Sequence, residues 1–284
     1  MIDKDLIDKA ESGDVDALVS LGVAYYNEED GKENQGKAFE MFSKALEIAP
    51  NNVKAINNIA NCYNNGVGVD ENKQKAMELY REAAETGHAN SQYNLANELR
   101  RQENPECLEW YQKAFENGDV DAPYEIARIY YNGKIVPKDC EKYIEYLTKA
   151  DEIGNNYATF DLAYSYLTGN CVETNKEKGA ALMEKAANAG SSDAAINMAL
   201  VYKKGDGVVV DIEKAVEWAE KAAERGDDSM LVRILSETDP QKAFEYNLEH
   251  AQKGDVKAQY RVFEAYAEGA GVNRDIKEAL DWLR

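Results

Sequence analysis

The stretch Ser191–Gly226, SSDAAINMALVYKKGDGVVVDIEKAVEWAEKAAERG, decides how this chain folds, because variants of it recur along nearly the whole sequence. Ala194, Met198, Ala199 and Tyr202 fall at i, i+4, i+5 and i+8, which places them on one stripe of a helix. Gly205 ends that helix, and both Gly205 and Gly207 accept positive φ without a Cβ clash. Val208 plugs the turn, and Asp211 is placed to cap the next helix. The second helix carries Ala215, Trp218, Ala219, Ala222 and Ala223 on its apolar stripe and stops at Gly226. Two amphipathic helices joined in this way cannot bury both faces alone, so the hairpin has to stack on similar neighbours.

Working outward, the terminal glycines Gly118, Gly154, Gly190 and Gly226 are each 36 residues apart. The whole of 1–284 therefore reads as a single array, with a cap at 1–13 and repeats at 14–50, 51–87, 88–118, 119–154, 155–190, 191–226, 227–254 and 255–284. In the first repeat a polar loop, EEDGKENQG, separates the two helices. The third joins its helices through RRQENP with no G-x-G turn, and the first helix of the seventh is cut short before Asp239-Pro240. The last repeat is incomplete, stopping at ALDWLR. An apolar helix without a polar cap implies either a piece of a longer protein or self-association through Ala279, Trp282 and Leu283.

Small residues recur where two helices approach closely: Gly22, Ala60, Ala96, Ala127, Ala163 and Ala199 in first helices, and Ala45, Ala83, Ala114, Ala150, Ala186 and Ala222 in second ones. The tyrosines Tyr25, Tyr63, Tyr130, Tyr166, Tyr202 and Tyr266 are expected to fill the adjoining gaps as core residues. Truncating one should then cost roughly 3–5 kcal/mol.

The recurring pattern A-x-x-x-L-G/A-x-x-Y-x-x-G-x-G-V-x-x-D-x-x-K-A-x-x-W/Y-x-x-A-A-x-x-G resembles the Sel1-like repeat family, a relative of the tetratricopeptide repeat with a longer loop between its helices. Asp193–Gly226 matches almost every position, and Gly269-Ala270-Gly271-Val272-Asn273-Arg274-Asp275 matches the loop. Leu99 in place of Tyr, the missing loops of the third and seventh repeats and the ALEIAPNN ending of the first depart from it. The resemblance implies an all-α, right-handed superhelical α-solenoid that serves as a scaffold or adaptor, binding peptides or proteins along a concave face.

Thirty-three Lys and Arg against 53 Asp and Glu give a net charge of −20, which repels nucleic acid and anionic membrane surfaces. Neither a signal-peptide core nor a run of about 18 apolar residues is present, so a cytoplasmic location is expected. Cys62, Cys107, Cys140 and Cys171 form no CxxC pair and read as free thiols of a reducing compartment. Gly66-Val67-Gly68 and its equivalents follow no strand and lead to no GK[ST], so they are turns rather than phosphate loops. The only histidines, His88 and His250, lie in different repeats with no cysteine at ligand spacing, and no GxSxG is present. No catalytic residue, metal site or cofactor is assigned.

One cluster stands out for partner binding. If first helices line the concave face, as the resemblance implies, then Asn57, Asn61 and Asn64, then Tyr93, Asn97, Arg100 and Arg101, then Tyr124, Arg128 and Tyr131 point into the groove. Amides and guanidinium groups donate to carboxylates and to the backbone of an extended peptide. The plainer reading is that Arg100 and Arg101 pair with Glu98 and Glu103. The sequence thus points to a scaffold for a protein or peptide partner, not an enzyme. The alternative is a regulatory repeat module of a longer, possibly enzymatic protein.

Overall fold

A computed structural model describes residues 2–27 and 31–282. They contain 17 α-helices and, among the described residues, no strand. The chain divides into two compact units, Met1–Ile153 and Gly154–Arg284. The first holds α1 (Lys4–Glu11), α2 (Val15–Asn27), α3 (Gly31–Ile48), α4 (Val53–Asn65), α5 (Lys73–Glu85), α6 (Ala89–Arg101), α7 (Cys107–Glu116), α8 (Ala122–Asn132) and α9 (Cys140–Glu152). The second holds α10 (Asn156–Thr168), α11 (Lys176–Asn188), α12 (Ser192–Lys204), α13 (Ile212–Glu224), α14 (Ser229–Thr238), α15 (Pro240–Gln252), α16 (Val256–Glu268) and α17 (Ile276–Asp281). Within each unit every helix packs on the next in sequence.

Local chemistry explains where these helices start and stop. Side-chain oxygens of Asn52, Asn155 and Ser191 accept the N–H groups of Ala55, Ala158 and Ala194 at the first turns of α4, α10 and α12. Asp211 accepts from Lys214 N–H at 3.0 Å, the cap expected for α13. Gly205 closes α12 at φ 74°, donating its N–H to Val201 O. Gly207, at φ 83°, permits a close approach instead, because a Cβ there would lie 2.1 Å from the Lys176 carbonyl oxygen at the start of α11. The loop of one repeat therefore lies directly on the start of the second helix of the repeat before it. Gly68 and Gly271 sit in the same way on Gln35 and Pro240.

The alanines anticipated at close approaches are buried, with Ala60, Ala96, Ala163, Ala186, Ala199 and Ala222 all 0% exposed. The motif tyrosines are not core residues as expected. Tyr25, Tyr63, Tyr130, Tyr166, Tyr202 and Tyr266 are half-buried. Each sits in the last turn of its helix, at the rim of the hairpin, where the core has already closed. There Lys75, Lys142 and Lys178 donate to the Tyr63, Tyr130 and Tyr166 hydroxyls at 2.9, 3.3 and 2.8 Å. Their ammonium groups also lie 4.2–4.8 Å from those ring centroids. The Tyr166 and Tyr202 carbonyls accept the N–H groups of Asn175 and Asp211, the caps of the following helices. Tyrosine, cap and lysine thus form one clasp across the loop. The fully buried tyrosines are Tyr80 and Tyr111, on second helices.

Two further expectations change, for the first loop and for the cysteines, while the glycine-free linker of the third repeat is as expected. Of the polar loop of the first repeat, residues 31–36 are helical, since α3 begins at Gly31, while residues 28–30 lie outside the described residues; a Glu33–Lys37 ion pair (2.7 Å) spans one turn of that helix. The RRQENP linker turns without glycine because Glu103 takes φ 55° and Asn104 N–H returns to Leu99 O. Cys62 and Cys107 are free and buried, but Cys140 and Cys171 are disulfide-bonded, which removes the thiol argument for a reducing compartment. As expected, α14 stops at Thr238, before Asp239-Pro240, and Pro240 then begins α15, at a position where no intrahelical N–H is required.

Candidate functional site

In the first unit, α2, α4, α6 and the approach to α8 enclose a groove of about 580 Å³. Asn57, Asn61 and Tyr93 of the expected cluster line it, together with Asn58, Asn90 and Asn94. Lys54 and His88 border it, as do Asp119 and Asp121.

The amides are held in one orientation by the core behind them. Asn57 Oδ1 accepts from Ser91 Oγ at 2.9 Å and Asn94 Nδ2 at 3.1 Å. Asn61 Oδ1 accepts from the Tyr80 hydroxyl at 2.6 Å and from the same Asn94 Nδ2 at 3.3 Å. Both lone pairs of each amide oxygen are therefore used within the protein. The Asn57 and Asn61 NH₂ groups remain as donors, and Asn94 Oδ1 as an acceptor. One repeat further on, Asn97 Oδ1 accepts from the Tyr111 hydroxyl at 2.6 Å, as Asn61 does from Tyr80. Tyr93 packs edge-on against Tyr111 with centroids 5.6 Å apart. Burial, followed by the nearby Glu125 carboxylate, raises the Tyr93 hydroxyl above its ordinary pKa, so it is a neutral donor.

The remaining expected residues are placed differently. Asn64 is buried, and its side-chain amide donates to Asn65 Oδ1 while its backbone carbonyl accepts from Lys73. It serves the end of α4, not the groove. Arg101 pairs with Glu98, as the plainer reading had it, but Arg100 does not pair with Glu103. Arg100 Nε donates to the Tyr111 hydroxyl at 3.1 Å and lies 3.8 Å from Glu125 Oε2. Arg128 meets the other oxygen of Glu125 at 3.1 Å and lies 5.8 Å from the Tyr124 ring. Tyr131 packs on Tyr143, with Lys138 over its face. Arg100 and Arg128 therefore converge on one carboxylate and line a second cavity, of about 240 Å³.

Reading the sequence alone missed Asn94 and Ser91, which orient the amides, and Glu125, which gathers the arginines. Asn94 and Glu125 occupy the same place in successive first helices, one residue after Tyr93 and Tyr124. That register is the signal that identifies them.

Nucleophilic chemistry is not prepared among these groups. Burial pushes the Cys62 and Cys107 thiols up to about 12 and about 11, which keeps both protonated at neutral pH. Among the described residues no group of three or more His, Cys, Asp or Glu is placed to hold a metal ion. Among the described residues no helix is long and apolar enough to cross a membrane. Of the expected self-association surface, Ala279 is buried, Trp282 packs on the cluster of Ala251, Ala258 and Val262, and Leu283 lies outside the described residues.

The stacked hairpins, with their paired loop glycines and small-residue contacts, can be compared with known proteins. The Sel1 repeat family model matches residues 15–47, 53–88, 89–119, 120–152, 156–191, 192–227 and 256–284. The chain belongs to the Sel1 repeat family. Residues 228–255, which the family model leaves out, still form a helical hairpin of α14 and α15 without the G-x-G loop. A protective antigen of uropathogenic Escherichia coli strains with an SLR fold is 28% identical over 99% of this chain, with a TM-score of 0.76. This chain spans 63% of that antigen's length. A Sel1 repeat protein from Oxalobacter formigenes is 25% identical, with a TM-score of 0.64, over 99% of this chain and 84% of its own. No curated protein matches in sequence. The Sel1 repeat assignment fixes the fold class as all-helical and related to the tetratricopeptide solenoid.

Proposed function

We propose that this Sel1 repeat protein is a non-enzymatic interaction scaffold whose first unit holds an extended segment of a protein partner in the asparagine-lined groove. The observation that carries this reading is the fixed polarity of the amides. Donors on Asn57 and Asn61 beside an acceptor on Asn94 match the alternating C=O and N–H groups of an extended backbone. Because the amide oxygens are already committed, binding needs little reordering of the groove, which lowers the entropic cost of association. Asn97, Arg100 and Arg128 continue the polar face beyond the asparagines, while Arg101, paired with Glu98, and Asn64, turned toward the end of α4, contribute less.

The test is a titration of the full chain with a defined pool of ten-residue peptides, followed through backbone amide NMR resonances. Shifts are expected to concentrate on α4 and α6. Asn58 lines the groove outside the hydrogen-bonded network, so Asn58→Trp should fill the space and abolish those shifts with little change in melting temperature. Undiminished peptide binding by Asn58→Trp would reject the groove as the binding surface.

A further inference from the structure

The second cavity of the first unit differs in chemistry from the groove. Its wall includes Arg100, Arg128 and Lys134, together with Glu103, Glu125 and Ile129. Glu125 is not a free member of this set: its side chain is only 12% exposed, and Oε2 is shielded from solvent with no hydrogen-bond donor. It lies beneath the two guanidinium groups as a largely shielded counter-ion. Arg100 and Arg128 remain 34% and 46% exposed over it.

The hydrogen bonds fix which edges are left over. Arg100 spends Nε on the Tyr111 hydroxyl, leaving both Nη groups, and Arg128 spends Nη1 on Glu125, leaving Nε and Nη2. Three cations thus face the cavity against the partly buried Glu125 and the exposed Glu103, within a chain of net charge −20. More distant carboxylates are screened over roughly 8 Å at physiological ionic strength, so the local excess decides what enters. Planar guanidinium edges with free N–H groups match the two oxygens of a carboxylate. Arg100 follows Asn97 by one helical turn on α6, so the cavity continues the polar face of the groove.

We propose that this cavity is a carboxylate subsite, taking an Asp or Glu side chain of the segment held in the groove; the proposal rests on reading the groove as a peptide site. Ile129 supplies an apolar wall for the side-chain methylenes, and Glu125 acts as a positioning residue that holds the arginines without contacting the ligand.

The test uses the full chain and three small probes: N-acetylglutamate α-amide, N-acetylglutamine α-amide and N-acetylalanine. Binding is read from the arginine Nε–Hε resonances. The glutamate derivative should shift the Arg100 and Arg128 signals with an affinity at least roughly tenfold above that of the isosteric glutamine derivative, since charge-assisted bonds replace neutral ones. Arg128→Gln, at an exposed position, should erase the preference while the circular dichroism spectrum stays the same. Equal affinity of the two derivatives, or survival of the preference in Arg128→Gln, overturns the proposal. Tighter binding of N-acetylalanine, which carries only a terminal carboxylate, overturns the side-chain assignment. Asn58→Trp alters the groove and not this cavity, so its loss of peptide binding and a loss of carboxylate preference are read separately.

Discussion

Substitution of Gly207 by alanine measures how much the stacking of one repeat on the next depends on a missing side chain. Gly205 and Gly207 stand two residues apart in the same loop and both have positive φ, 74° and 83°. Alanine at either position carries the left-handed cost of about 1–2 kcal/mol. Their surroundings differ. At Gly205 the new Cβ would meet the Cγ2 methyl of Val210 at 2.8 Å, a side-chain atom of an exposed residue that a change of rotamer moves away. At Gly207 it would lie 2.1 Å from the Lys176 carbonyl oxygen and 2.3 Å from the carbonyl carbon, both backbone. Relief there requires the loop to move off the start of α11 by more than about 1 Å, and overpacking of this kind adds about 1–3 kcal/mol. Gly205→Ala should therefore lose about 1–2 kcal/mol and Gly207→Ala about 2–5 kcal/mol. Urea unfolding followed by far-UV circular dichroism gives both values. Amide exchange resolves whether the excess falls on α11, α12 and α13, as nearest-neighbour coupling in a repeat stack requires. Equal losses in the two variants would show that the loop does not set the spacing between repeats.

Three further outcomes follow from the first unit. His88 caps α6 through Nδ1, which accepts Ser91 N–H at 3.3 Å, and burial followed by the Lys54 charge holds its pKa below the ordinary value. Because the folded pKa is depressed, the unfolded chain takes up the proton first as acid is added, so stability falls as pH drops below about 6.5. His88→Asn, the cap used at Asn52 and Asn155, should flatten that part of the stability profile measured by urea titration at stepped pH. Tyr111→Phe should cost about 1–3 kcal/mol, because the bonds of the buried Tyr111 hydroxyl to Asn97 and Arg100 are lost together. Tyr130→Phe, which removes only an exposed 3.3 Å bond from Lys142, should stay within about 0.5 kcal/mol in the same assay.

The repeat itself was legible in the sequence because its signals are local. A helical stripe, a left-handed glycine and an Asx cap act over a few residues, so reading Ser191–Gly226 was enough to place α12, the loop and α13. Spacing between small residues likewise marked Ala199 and Ala222 as contacts. Pattern alone misjudged what depends on neighbours. The motif tyrosines look like core residues along one helix, yet they lie at the rim, where lysines from the partner helix clasp them. The stretch beginning at Gly31 looks like a loop by composition, yet the second helix extends through it.

The site divides along the same line. The sequence by itself determined that polar and basic side chains occupy one face of successive first helices, since helical periodicity assigns faces. Only the tertiary structure decided which atoms of those side chains remain available. Asn57 and Asn61 keep donors because Ser91, Asn94 and Tyr80, from other helices, occupy their oxygens. Arg100 and Arg128 face a common cavity because Glu125 lies largely shielded between them. Hydrogen-bond capacity is shared across helices tens of residues apart, and no spacing within one helix encodes how it is divided.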